Sequence, residues 1–335
     1  MKIVTMGEIM LRLSPEGNRR FIQADRFEAA YGGAEANVAV LLAQLGEDAC
    51  FVTRLPKHGI GQAAAAELRK FGVRTDYVAC GGERIGIYFL EKGISQRPSS
   101  VIYDRQHSSF SEACAEDFDF DKIFKDCGWF HFTGITPALS DSAANLTARA
   151  CRQAHGAGIP VSCDINYRSS LWTKERAGEI LSPLMKFVDV CITNPEQVED
   201  VFGIRAQTKN GPELESIKDI AAQLEDRFGF KKIAFTGRKN TSASDNILFA
   251  SLYSRGQCCY SREYPVHIAD RVGGGDAFAA GLIYGITHNF EDGETIEFAS
   301  AANALKHTVE GDFCLAGLDE IKALAKGDGQ GRIKR

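Results

Sequence analysis

Between residues 129 and 236 the chain alternates short apolar runs with longer segments of helical period. No other feature restricts the fold as much. Runs at 129–133, 160–163, 188–193 and 232–236 read as strands. The segments 141–155, 177–187 and 217–228 between them read as helices. Such units imply a parallel sheet with helices on both faces. Each strand ends in glycine or polar residues: Gly134-Ile135-Thr136-Pro137, Asp164-Ile165-Asn166-Tyr167-Arg168, Asn194-Pro195-Glu196-Gln197 and Gly237-Arg238. Ligands bind at the carboxyl ends of parallel strands. Thr136, Asp164, Asn166, Arg168, Asn194 and Thr236 should therefore converge on one crevice.

The N-terminal part has another texture. A buried strand at 2–6 precedes a hairpin at 11–31 that carries Phe21, Phe27 and Tyr31. Gly32-Gly33-Ala34-Glu35-Ala36-Asn37 then opens an apolar helix closed by Gly46. Asn37, one turn in, reads as a buried structural amide or as a ligand for a sugar hydroxyl. A strand at 49–55 and a helix at 63–71 follow. The runs 84–91 and 99–106 form a second hairpin, with Val101, Tyr103 and Arg105 on one face and Tyr88 on the partner strand. That face could close over an anionic ligand, or be an exposed amphipathic strand with a snorkelling arginine. The chain reads as one domain over 1–335, with lid segments at about 11–31 and 84–107 and a tail at 326–335 expected to fray.

Composition narrows the function. With 44% hydrophobic and 25% charged residues, 335 residues can build a sizeable core. A net charge of -5 argues against nucleic acid, whose phosphates require a basic face. No run approaches the ~18 apolar residues of a membrane span, and the first eight residues are too short and too broken for a leader. The ten cysteines are scattered with no Cys-x-x-Cys, as in reduced, largely buried thiols of a cytoplasmic protein. Gly59-Ile60-Gly61-Gln62-Ala63-Ala64 matches a loose dinucleotide pattern, but that pattern is degenerate and lies outside the first strand–helix unit. No phosphate-binding G-x-x-x-x-G-K-[ST] occurs.

Asp270-Arg271-Val272-Gly273-Gly274-Gly275-Asp276 carries the chemistry. Three glycines let successive N–H groups curl into one concavity. The small apolar residues from Ala277 onward read as a buried helix starting at or just after Asp276. A glycine turn opening a helix makes an anion site suited to phosphate. Asp276 at its mouth reads as a base for a substrate hydroxyl, or only as a helix cap.

Over nearly its whole length the chain resembles the ribokinase-like (PfkB) carbohydrate kinases. Gly32–Asn37 is similar to that family's N-terminal sugar-binding signature, Asp270–Asp276 to its C-terminal signature, and Asn194–Gln197 to its Asn-x-x-Glu region. Within the family the likeness is closest to 2-dehydro-3-deoxygluconate kinases. It is carried by Gly134-Ile135-Thr136-Pro137-Ala138-Leu139-Ser140, Asp164–Arg168, Tyr103-Asp104-Arg105 and Ala304-Leu305-Lys306-His307-Thr308. The resemblance implies a three-layer α/β/α sandwich with a mostly parallel central sheet and a small β-sheet lid, often shared across a dimer. It implies ATP with Mg2+, admits a monovalent cation, and implies a sugar acid as substrate. Asp276 would be the base, and Gly273, Gly274 and Gly275 the anion hole. Gly33, Asn37, Tyr88, Tyr103, Arg105, Ile135 and Arg168 would hold the sugar acid. Asn194, Thr236, Gly237 and Asn303 would lie along the nucleotide. Arg105 or Arg168 could grip a substrate carboxylate in a bidentate pair. A fructokinase or ribokinase type and a non-catalytic sugar-binding protein are the competing readings. Two positions depart from the pattern: Gly274 replaces the usual Ala, and Gln197 replaces the Glu, which leaves the metal-organising residues undefined.

Overall fold

The computed structural model describes residues 1–207 and 213–329. In chain order the elements begin with β1 (Lys2–Met6), β2 (Met10–Ser14), β3 (Glu28–Gly32), α1 (Ala34–Gln44), β4 (Asp48–Leu55), α2 (Gly59–Lys70) and β5 (Val78–Cys80). Then come β6 (Gly86–Glu91), β7 (Ser100–Asp104), α3 (Phe120–Phe124), β8 (Cys127–Thr133), α4 (Ile135–Ala138), α5 (Asp141–Gly156) and β9 (Val161–Asp164). They continue with α6 (Lys174–Met185), β10 (Val190–Thr193), α7 (Pro195–Phe202), α8 (Glu213–Phe228), β11 (Lys232–Asn240) and β12 (Asp245–Ser254). The last are β13 (Gln257–Tyr260), β14 (Tyr264–His267), α9 (Gly274–Thr287), α10 (Asp292–Lys306) and α11 (Leu318–Ala325).

The main sheet runs β13-β12-β11-β10-β9-β8-β1-β4-β5, with β14 also on β12. Pairing is parallel from β11 through β5 and antiparallel beyond β11. The parallel strands are buried on both faces, so they read as continuous apolar runs. One face packs on α1, α2, α9, α10 and α11, and the other on α3, α5, α6, α7 and α8. The core is a three-layer sandwich, as expected. Local signals end the helices where they should. Ser140 and Thr173 cap α5 and α6, and Gly203 closes α7 in a left-handed turn with φ 68°.

The two hairpins form a separate four-stranded sheet in the order β3-β2-β6-β7. Each hairpin is antiparallel, and β2 joins β6 in parallel. The lid's inner face is mixed: Arg12, Ser14 and Tyr88 are buried there beside Met10 and Leu90. Its outer face carries Leu13, Phe89, Ile102 and Phe27, half-buried or exposed.

Three sequence expectations change. The strand ending at residue 236 continues to Asn240, because Arg238 and Lys239 pair with Leu248 and Ile247 of β12. Burial of the thiols is partial: Cys50, Cys151, Cys163, Cys191 and Cys314 are buried, whereas Cys80 is exposed. The tail begins by closing α11, with Gly327 and Asp328 donating to Leu324 and Ala323 carbonyls; residues 330–335 lie outside the described residues. Among the described residues no helix is long and apolar enough to cross a membrane.

Candidate active site

The chain leaves β1 to build β4 and β5 on one side, then returns to place β8 on the other. Loops diverge at such a reversal, and ligands bind there. The carboxyl ends of the central strands, the start of α9 and the lid's inner face enclose a cleft of about 480 Å3. Gly33, Asn37, Tyr103, Arg105, Ile135, Arg168, Thr236, Gly273, Gly274, Gly275 and Asp276 all line it.

The glycine turn makes the helix start earlier than expected. Gly273 sits at the N-cap with φ 86°, and α9 begins at Gly274. Only glycine adopts this left-handed geometry readily, and a Cβ here would lie 2.0 Å from the Asp312 carbonyl oxygen. Asp276 is thus the third helical residue, not the cap. The first intrahelical bond runs from Ala277 N–H to Gly273 C=O at 2.9 Å, leaving the N–H groups before it aimed at the cleft. Gly274 also has a packing reason. A Cβ there would stand 2.4 Å from His307 Cε1 and 2.8 Å from Asn303 Oδ1, so the usual Ala does not fit against this His307.

Asn37 Nδ2 donates to Asp276 Oδ2 at 2.6 Å, and Asn37 Oδ1 accepts from Gly33 N–H at 3.2 Å. The amide is therefore spent on orienting the carboxylate. Burial pushes the Asp276 carboxyl up to about 7; the Asn37 hydrogen bond opposes this, and Asp164, Glu35 and Asp312 reinforce it. Asp164 rises to about 7 as well, through burial, against the pull of Arg168. A carboxyl held near neutrality can take a proton from an alcohol and release it again.

Other expected residues sit elsewhere. Tyr88 is buried under the lid, its hydroxyl donating to Asp312. Asn194 caps α7 by accepting from Gln197 N–H at 2.9 Å, and Gln197 itself reaches the cleft wall. Gly237 lies under Phe249, whose Cε2 would be 2.2 Å from an added Cβ. Asn303 is buried behind Gly274, its Oδ1 unpartnered. Arg105 lines the cleft, but Glu8 already accepts from its Nε at 2.9 Å and from its Nη2. The Gly59–Ala64 pattern is the first turn and a half of α2 and does not line the cleft.

Several residues in and behind the cleft wall were given no role from the sequence. Glu35 is fully buried and accepts from Thr133 N–H (2.9 Å), Thr133 Oγ1 (2.8 Å) and Thr136 Oγ1 (2.6 Å), tying α1 to the end of β8. Burial raises its carboxyl. Arg12, from the lid, reaches Asp270 Oδ2 at 2.5 Å and Asp312 Oδ1 at 2.8 Å. Asp270 in turn accepts from Val272 N–H at 3.1 Å, fixing the turn before the glycines. Lys306, wholly buried beside Asp270 and Asp312, donates to Val309 C=O at 2.9 Å.

Comparison with known proteins supplies the family. The model of the pfkB family carbohydrate kinases matches residues 1–313. A crystal structure of 2-dehydro-3-deoxygluconokinase from Thermotoga maritima superposes with a TM-score of 0.95 at 51% identity, covering 98% of each chain. A 2-dehydro-3-deoxygalactonokinase from Haloferax volcanii is 30% identical over 332 residues, again 98% of each chain. A PfkB family carbohydrate kinase from Listeria grayi superposes with a TM-score of 0.92 at 35% identity, over 97% of this chain and 100% of that one. This chain belongs to the pfkB family of carbohydrate kinases and has its ribokinase-like α/β fold.

Proposed function

We propose that the protein transfers the γ-phosphoryl group of ATP to the 6-hydroxyl of 2-dehydro-3-deoxygluconate. The observation that carries the reading is Asp276, held by Asn37 at the foot of a cleft lined by Gly273–Gly275 and Arg168. Asp276 takes the hydroxyl proton as the oxygen attacks phosphorus. The bond from phosphorus to the β–γ bridging oxygen breaks, and ADP leaves. Backbone N–H groups of the glycine turn meet the charge developing on the phosphoryl oxygens. Phosphoryl transfer asks mainly for such positioning and charge compensation. Mg2+ would be brought in on the nucleotide phosphates and would offset their charge during transfer. Among the described residues no group of three metal-ligating side chains converges, which suits an ion carried in by the nucleotide. The nucleotide would run past Thr236 and Gln197.

The substrate carboxylate falls to Arg168, which lines the cleft with no carboxylate ion-paired to it among the described residues. Arg105, neutralised by Glu8, would orient it together with Tyr103. The names of the Thermotoga and Haloferax relatives agree on a 2-dehydro-3-deoxy sugar acid and differ in one hydroxyl configuration. The galacto epimer is therefore the second reading. A coupled ADP-release assay with Mg-ATP should show strong preference for the two keto acids over fructose, ribose and adenosine. Higher kcat/KM on a neutral sugar would overturn the assignment.

A second copy of the chain is the proposed cover for the lid. The outer face presents apolar side chains to solvent, Ile102 and Phe27 being 52% and 41% exposed. Light scattering should give twice the 36.6 kDa of one chain, and Ile102→Asp should shift the mass toward one. A parent chain of single mass would remove the dimer.

A further inference from the structure

Three arginines reach the cleft from different elements: Arg168 after β9, Arg238 on β11 and Arg271 before α9. Arg168 lies in the field of Asp164, yet none of the three forms an ion pair with a carboxylate among the described residues. Arg271 makes one neutral contact, from Nη2 to the Ala243 carbonyl at 3.3 Å. By contrast, Arg105 in the cleft and Arg12 behind its wall are both neutralised by buried acids. Arg168 and Arg238 are exposed and Arg271 is half-buried, so together they make this wall of the cleft electropositive. Although Arg238 is exposed as a whole, its guanidinium is lowered by partial desolvation against the cleft wall and then by Arg271 and Arg168. Such a wall attracts an anion into the cleft.

The sugar acid cannot supply that anion alone. It brings one carboxylate, for which Arg168 suffices. Arg271 stands two residues before Gly273, and Arg238 lies on β11 two residues beyond Thr236. Both therefore flank the phosphoryl-transfer end of the cleft. Guanidinium matches phosphate oxygens in a planar, bidentate way and keeps its charge throughout.

We infer that Arg238 and Arg271 clamp the polyphosphate chain of the nucleotide, so that this chain selects its phosphoryl donor by phosphate count and supplies protein cations where the described residues offer no acidic metal cage. The inference rests on the kinase reading only in taking a nucleoside triphosphate as donor; it is independent of which sugar is phosphorylated.

The test is equilibrium binding to the full-length protein, with ATP, AMP, inorganic tripolyphosphate and 2-dehydro-3-deoxygluconate titrated separately. Arg238→Met and Arg271→Met should each weaken ATP by about 10- to 100-fold, the range of one charge-assisted contact. Tripolyphosphate should compete with ATP in the parent and lose that competition in both variants. AMP and the sugar acid should bind as before, which also reports an intact fold. Arg238→Lys should restore part of the ATP affinity. Weakened sugar-acid binding with ATP unchanged would assign the arginines to the sugar and overturn the inference. Unchanged binding of all four ligands would overturn it too. Failure of the parent to phosphorylate the keto acids while the tripolyphosphate pattern holds would discard the substrate assignment alone.

Discussion

Asp276→Asn should bind ATP and sugar acid with parental affinity, lose about 10²- to 10⁴-fold in kcat, and melt no lower than the parent. The substitution keeps the shape and keeps an acceptor for the Asn37 amide, whose Nδ2 stands 2.6 Å from Asp276 Oδ2. It removes only the ability to take a proton. The stability arm follows from the sign of the shift. Burial, reinforced by Asp164, Glu35 and Asp312, lifts the folded-state carboxyl to about 7. The folded state thus holds this proton more tightly than the unfolded chain does. The group's contribution to stability is greatest at low pH and declines as pH rises from the ordinary carboxyl range through about 7. At pH 8 the ionised Asp276 is a burden on the fold, and Asn lifts it. In the parent, kcat/KM should fall as pH drops below about 7, because the base becomes protonated. Asp164 rises to the same range and shares this field, so the limb belongs to the pair. An Asn variant with near-parental kcat would remove Asp276 from the mechanism. One that is inactive but melts well below the parent would reduce it to a structural role.

The parallel core was legible because it is written locally. Each of β8, β9, β10 and β11 is a short apolar run, and the helices between them carry their own caps at Ser140, Thr173 and Asn194. The convergence of polar residues after the strands followed from topology alone. What escaped was decided by partners distant in sequence. Arg105 carries no mark that Glu8, 97 residues away, already holds it. Asn37 read as a structural amide or a sugar ligand, and nothing near it announces its bond to Asp276, 239 residues on. The start of α9 was misplaced because an aspartate before an apolar run is the usual cap. Here a left-handed Gly273 takes that place, and His307 fills the space that an Ala side chain would need. The antiparallel strands β12, β13 and β14 went unread because Arg238, Lys239 and Asn240 suggest a polar loop, whereas β12 pairs with them as an edge extension.

Arg12→Met should cost about 3–5 kcal/mol of stability, the usual loss when one partner of a buried ion pair is removed. Arg12 is 3% exposed and bridges two buried carboxylates, Asp270 at 2.5 Å and Asp312 at 2.8 Å. Methionine fills similar space but leaves the two acids with Tyr88 O–H, backbone N–H groups and Lys306, whose own ammonium is disfavoured by burial. Activity should fall with stability, because Asp270 also accepts from Val272 N–H and from Gly311 N–H, at 3.1 and 3.2 Å, and so sets the turn that aims the glycines. Lost packing and lost charge separate by pH. Burial already raises the Asp312 carboxyl while Arg12 restrains the rise, so deleting Arg12 lifts it further. A carboxyl raised in the folded state stabilises at low pH and loses that contribution as pH increases. The deficit of Arg12→Met relative to the parent should therefore widen from pH 5 to pH 8. Adding Asp312→Asn should recover part of it, since the second change removes a charge that the first has stranded. Urea denaturation of the parent, the two single variants and the double variant at both pH values gives the coupling directly. A deficit below about 1 kcal/mol, or one that is flat with pH and additive with Asp312→Asn, would mean that Arg12 acts by packing alone. The lid would then be joined to the catalytic turn by shape, without the ion-pair network.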